Sequence, residues 1–168
     1  MENASKTDHA KRRIKKQTVM LEGLHSDEAF MKEAIKQAHY ALEEGEVPIG
    51  AVVVCENKVI ARAYNQVEKL NDVTAHAEIL AITAAENFLG AKYLTQCRLF
   101  VTLEPCTMCA GALYWSQIDE VIYGASDEKR GYSVHAANAL HPKTKLKQGV
   151  LADDCGQLVS DFFKRLRK

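Results

Sequence analysis

Apolar residues first recur at helical spacing in Met31, Ala34, Ile35, Ala38, Ala41 and Leu42. Ser26 ahead of Asp27 and Glu28 supplies an N-cap and an acidic first turn, and Gly45 a stop, so the pattern predicts a helix from Asp27 to just short of Gly45. Gly50 to Cys55 is a β-branched run, Glu56-Asn57 a turn and Lys58 to Tyr64 a second strand, which together read as a hairpin. A polar loop, Gln66 to Val73, leads to a second helix from Thr74, its N-cap, to about Leu89. Arg98 to Leu103 reads as the third strand, Cys106 to Ser116 as the third helix and Glu120 to Gly124 as the fourth strand. After a long loop come a short strand near Leu146 to Val150 and a last helix from Ala152 to about Arg167. The order α-β-β-α-β-α-β-β-α predicts one mixed five-stranded sheet with helices on both faces.

The 168 residues are enough for a single domain with a core of its own. Residues 1–24 lack apolar periodicity and read as a basic, mobile extension, which leaves 25–168 as the domain. No apolar run approaches the ~20 residues that span a bilayer, and the basic start is not followed by the apolar stretch of a secretory signal. Membrane and secreted classes are thereby set aside. Of five cysteines, Cys55, Cys97 and Cys155 read as buried thiols, which suits a reducing, cytoplasmic setting. Acidic and basic residues balance at 22 each, unlike most nucleic-acid binders. The basic ones are clustered, however, in Lys11, Arg12, Arg13, Lys15 and Lys16 at the start. A second cluster, Lys143, Lys145, Lys147, Lys164, Arg165, Arg167 and Lys168, gathers towards the end. Local patches of this kind can hold phosphates on a neutral protein.

Chemistry enters with two short segments, Thr74-Ala75-His76-Ala77-Glu78 and Glu104-Pro105-Cys106-Thr107-Met108-Cys109. Either alone is weak: C-x-x-C at a helix start serves redox dithiols as well as metals, and a lone H-x-E is noise. Together they offer an imidazole and two thiolates, one short of a closed tetrahedral zinc shell, as catalytic zinc sites are built. H-x-E with P-C-x-x-C is the known signature of zinc nucleobase deaminases. His76, Cys106 and Cys109 are thus the expected ligands of one zinc ion per subunit, and Glu78 the proton carrier. His76 and Glu78 would diverge by roughly 200° in mid-helix, so the helix end itself must face the metal. Two helix N-termini would then converge there, their dipoles favouring thiolate. Cys97 is the one nearby candidate for a fourth ligand, and its place before an apolar strand reads as core.

With those residues in view, the chain from about Asp27 to Arg167 resembles the bacterial tRNA-specific adenosine deaminases. Glu46-Val47-Pro48-Ile49-Gly50-Ala51 is similar to a family segment that lines the base pocket, and Thr102 to Ala112 to the family's T-L-E-P-C-x-M-C-A-G-A. Gly124-Ala125, Asp127, Lys129 and Gly131 match a G-A-x-D-x-K-x-G loop, and Leu151 to Cys155 with Phe162-Phe163-Lys164 the terminal helix. The resemblance implies a three-layer α/β/α cytidine-deaminase-like fold and a zinc-dependent deaminase domain. It implies hydrolysis of the wobble adenosine of a tRNA anticodon loop to inosine, and a homodimer in which each loop meets both subunits. It places Asn65, Val47, Pro48, Ala77 and Leu103 around the base and Asp127 and Lys129 on flanking nucleotides, with Glu104 structural. Departures at Val73, at Tyr132-Ser133-Val134 and from Lys143 to Lys147 fall in loops expected to meet RNA, so they bear on substrate choice and leave the zinc chemistry untouched.

Three other readings stay open from residues alone. A free-base deaminase, for guanine or cytosine, would share the zinc motif. Tyr114 and Trp115 have the flavour of guanine deaminases, although at helical spacing they read as core or dimer interface. A non-catalytic RNA-associated zinc protein would have no need of Glu78, and a thiol oxidoreductase would work without zinc.

Overall fold

The structure, a computed structural model, describes residues 12, 13, 15 and 23–167. Of the expected extension, Arg12, Arg13, Lys15, Gly23 and Leu24 are described, all exposed and helical in backbone. The remainder of 1–24, Lys11 and Lys16 included, lies outside the described residues.

Helix α1, Asp27–Glu43, starts where Ser26 caps it, the Ser26 hydroxyl accepting from the Ala29 N–H at 3.1 Å. Gly45, at φ +76°, turns the chain away from it. Strands β1, Gly50–Cys55, and β2, Lys58–Tyr64, form the expected hairpin. Its two-residue turn puts both Glu56 and Asn57 in the left-handed region, the geometry that matches strand twist. Gly50 has a steric duty as well: a Cβ there would stand 2.1 Å from the Ala34 carbonyl oxygen, so α1 lies against β1 with no room for a side chain.

The expected loop 66–73 contains a short helix, α2, Val67–Leu70. Helix α3 follows at Ala77–Leu89, then β3 at Cys97–Leu103, α4 at Thr107–Ser116 and β4 at Glu120–Ala125. A second unforeseen short helix, α5, is Tyr132–His135; β5 is Lys145–Gln148 and α6 is Ala152–Leu166. The last strand ends sooner than expected because Gly149, at φ +85°, and Leu151, at φ 52°, turn the chain towards α6.

The sheet order is β2-β1-β3-β4-β5, with β1 antiparallel to both neighbours and β3, β4 and β5 parallel. Alternation along the strands divides the core into two. Ala51, Val53, Leu99, Val101 and Val121 pack with Ala77, Ala81, Ile82 and Ala85 of α3 and Leu113 of α4 on one face. Val52, Val54, Phe100 and Ile122 pack with Phe30, Met31 and Ala34 of α1 and Cys155 of α6 on the other. Three layers result, as the sequence pattern predicts. The start of β1 and the ends of β2, β3 and β4 all lie at one edge, with Gly50 opposite Tyr64, Ala51 opposite Val101 and Leu103 beside Ala125. Functional side chains concentrate at that edge. No described helix is long and apolar enough to cross a membrane.

Candidate metal and active site

Helix α3 begins two residues later than expected. Thr74 does not cap it: Asp72 Oδ1 accepts from both the Thr74 hydroxyl, at 2.7 Å, and the Thr74 N–H, at 2.8 Å. The N-cap is His76 itself, extended at φ −74°, ψ 151°. Cys106 is likewise the N-cap of α4, at φ −73°, ψ 172°. An N-cap residue stands off the helix axis, so both side chains project from the helix ends towards each other. Cys109 and Glu78 follow inside the first turns and look along the same axes.

His76 Nδ1 lies 3.7 Å from Cys106 Sγ and 3.5 Å from Cys109 Sγ, and the three potential ligand atoms lie within 4.8 Å of one another. Zinc bonded to nitrogen at ~2.05 Å and to sulfur at ~2.3 Å, at tetrahedral angles, sets those atoms about 3.6 Å apart. The site therefore has the dimensions of three corners of a zinc tetrahedron. Cys97 is no fourth corner. It opens β3 in the core, and six residues of strand put it ~20 Å from Leu103 at the site's edge. Burial, with a thiol hydrogen bond to Cys55 on the neighbouring strand, pushes its thiol up to about 12.

The hydrogen bond between the two site cysteines moves their pKa values in opposite directions. The Cys109 thiol donating to it, with help from the His76 ring, pulls Cys106 down to about 4 against the effect of burial. Cys109 is pushed up by the same donation and by burial, and the bond to Cys106 raises His76. The pair is thus biased towards a thiolate beside the imidazole, and a dication would displace the remaining proton.

Glu78 is 3% exposed, and its Oε2 is the one buried side-chain oxygen or nitrogen among the described residues with no hydrogen-bond partner. Burial pushes its carboxyl up from 4.5 to about 7. A buried carboxyl with one oxygen left unpartnered is costly to keep, and one poised near neutrality two residues from a metal ligand suits proton transfer.

Other expected site residues gather at the same edge. Asn65 is buried at the end of β2; its N–H donates to the Ile49 carbonyl at 3.0 Å, and the Gln66 N–H to the carbonyl of Ala75, next to His76. Pro48 and Ala77 are buried, and Val47 and Leu103 are half-buried. Asp127 turns its own loop, Oδ1 accepting from the Lys129 and Arg130 N–H groups at 3.0 Å each, while the Lys129 side chain is exposed. Glu104 is structural as expected: its buried carboxylate accepts from the N–H groups of Asp127 and Ser133. Gly131 leaves room for that carboxylate, whose atoms lie 2.4–2.5 Å from where a Cβ would stand. Glu46, 1% exposed, heads the segment expected to line the base pocket but has no expected role of its own, and it bonds to Asn65 and to α2. Its burial follows from the tertiary fold, and no local pattern marks it. Tyr114 and Trp115 are not core, Trp115 being 77% exposed.

Residues 24–125 match the family described as the cytidine and deoxycytidylate deaminase zinc-binding region. A tRNA-specific adenosine deaminase of Bacillus subtilis is 47% identical over 147 residues, covering 84% of this chain and 91% of its own. A solved structure from a study of A-to-I editing by tRNA deaminases at the wobble position of transfer RNA superposes with a TM-score of 0.73. It is 41% identical and covers 77% of this chain and 97% of its own. A guanine deaminase of Bacillus subtilis superposes with a TM-score of 0.58 at 37% identity, covering 69% and 71%.

Proposed function

The chain belongs to the tRNA-specific adenosine deaminase family, and from that premise we propose that it hydrolyses the wobble adenosine of a tRNA anticodon loop to inosine. The observation that carries the mechanism is the buried, unpartnered Oε2 of Glu78 beside the ligand set. One zinc ion per subunit, held by His76, Cys106 and Cys109, would supply a water acidic enough to act as nucleophile at neutral pH. Glu78 takes a proton from the attacking water and passes it to the ring nitrogen beside the carbon under attack. A second proton goes through Glu78 to the departing amine. The C–N bond breaks, a C–O bond forms, and adenosine plus water becomes inosine plus ammonia.

Asn65 orients the base, with Val47, Pro48, Ala77 and Leu103 closing the apolar pocket around it. Asp127 and Lys129 meet flanking nucleotides. A base enters such a pocket only when unstacked, as bases of a single-stranded loop can be. The protein works as a homodimer. Helix α4 buries Cys109, Ala110, Leu113 and Ser116 and leaves Met108 and Trp115, two turns apart, exposed. That stripe is the face for the second copy, close to Cys106. The tRNA deaminases are 41% and 47% identical to the chain against 37% for the guanine deaminase of Bacillus subtilis, which favours RNA over a free base. Digestion of a treated anticodon stem-loop followed by nucleoside mass spectrometry tests the reading: inosine at the wobble position supports it, and an unchanged RNA overturns it.

A further inference from the structure

Glu46 follows α1 as a buried carboxylate whose two oxygens serve different elements. Oε1 accepts from the backbone N–H of Lys69 in α2 at 2.8 Å, and Oε2 accepts from Asn65 Nδ2 at 3.4 Å. A carboxylate offers acceptors only, and a carboxamide offers oxygen on one side and NH2 on the other. The Asn65 amide can therefore meet Glu46 in one of its two flips, with NH2 towards the carboxylate. The Lys69 N–H belongs to the main chain and cannot turn round, so it keeps Oε1 occupied.

We propose that Glu46 is a specificity-determining positioning residue: by fixing the flip of the Asn65 carboxamide, it sets the order of donor and acceptor that the pocket offers to the base. This rests on the reading of Asn65 as the base contact. The Asn65 N–H bonds to the Ile49 carbonyl and that of the next residue, Gln66, to the Ala75 carbonyl, which seats Asn65 at the end of β2, close to His76 in the fold. One N–H is given to Glu46, and the other stays beside Oδ1 on the free edge. Asparagine in that form pairs with a base edge carrying an acceptor next to an amino donor, as adenine does, and reversal of the flip reverses the match. On its N7/O6 edge guanine sets two acceptors side by side, and that edge fits neither flip as well.

Glu46→Gln isolates this role. The glutamine oxygen keeps the Lys69 N–H, its NH2 then faces Asn65, and the Asn65 amide must turn over. Volume, zinc site and α2 anchor are retained. Deamination of the anticodon stem-loop is measured in wild type, Glu46→Gln, Asn65→Ala and the double variant, with zinc content and melting temperature recorded for each. The expected result is a loss in kcat/KM of about 10- to 100-fold for Glu46→Gln in the wild-type background, the size of one mismatched bidentate contact. In the Asn65→Ala background the same change has no further effect, since no amide remains to be oriented. An equal loss in both backgrounds, or no loss in either, overturns the proposal and leaves Glu46 an anchor for α2. The side-chain amide protons of Asn65, followed by 15N NMR, decide the orientation without reference to any substrate. Protection from exchange in wild type and its loss in Glu46→Ala support the proposal; an unprotected amide in wild type overturns it. RNA left unconverted by wild type defeats the tRNA reading, and the NMR arm still settles the role of Glu46.

Discussion

Replacing Glu78 with glutamine separates the cost of its carboxyl from its use. In the metal-free protein burial holds the carboxyl at about 7 against an ordinary 4.5. At about 1.4 kcal/mol per pH unit, that displacement amounts to about 3 kcal/mol. A pKa raised by folding stabilises the fold below the unfolded value, and the contribution is lost as pH rises through the folded one. Metal-free wild type thus forfeits about 3 kcal/mol between roughly pH 4 and pH 8 through this group, whereas glutamine does not titrate. Urea unfolding of both metal-free proteins at about pH 5 and about pH 8 reads the difference. The stability gap should move in favour of Glu78→Gln by about 2 to 3 kcal/mol. An unsatisfied glutamine amide adds a constant at both pH values, so the movement of the gap is the diagnostic. In zinc-loaded protein, loss of the proton carrier should lower turnover by about 10²- to 10⁴-fold with zinc still bound. A gap that stays fixed with pH, or turnover within a few-fold of wild type, would refute the reasoning.

Gly131→Ala drives a Cβ into the Glu104 carboxylate; thermal melting should show a loss of about 1 to 3 kcal/mol with zinc stoichiometry unchanged. Chelation should abolish turnover and added zinc restore it, while persistence without metal would favour a thiol oxidoreductase. Zinc affinity, read by competition with a chromophoric chelator, should be weaker at pH 6 than at pH 8, because protons compete for the raised His76 and for the Cys109 thiol. Trp115→Asp should turn a sedimenting dimer into a monomer, whereas a monomeric wild type would contradict the homodimer.

Much of the sheet is legible in the sequence because strand alternation and helix periodicity fix which residues enter the core. Val52 and Val54 face one layer and Val53 the other, as a period of two demands. The zinc ligands are legible for a different reason, since few arrangements other than a metal site need H-x-E and P-C-x-x-C together. The start of α3 is not, because Asp72 and Thr74 bond to each other and His76 takes the cap. Helix α2 escapes notice because its anchor, Glu46, is distant in sequence. Glu46 and Glu104 stand in recognisable segments, but nothing local marks their partners, backbone N–H groups that only the folded chain brings near.

The central claim, hydrolytic deamination of an RNA adenosine at this site, is tested most directly by competition in one vessel. Zinc-loaded protein is given an anticodon stem-loop with adenosine at the wobble position, together with guanine and cytosine, in water enriched in oxygen-18. Mass spectrometry should find the label in inosine from the RNA alone. Label in xanthine or uracil with the RNA unchanged would keep the zinc chemistry and contradict the RNA substrate.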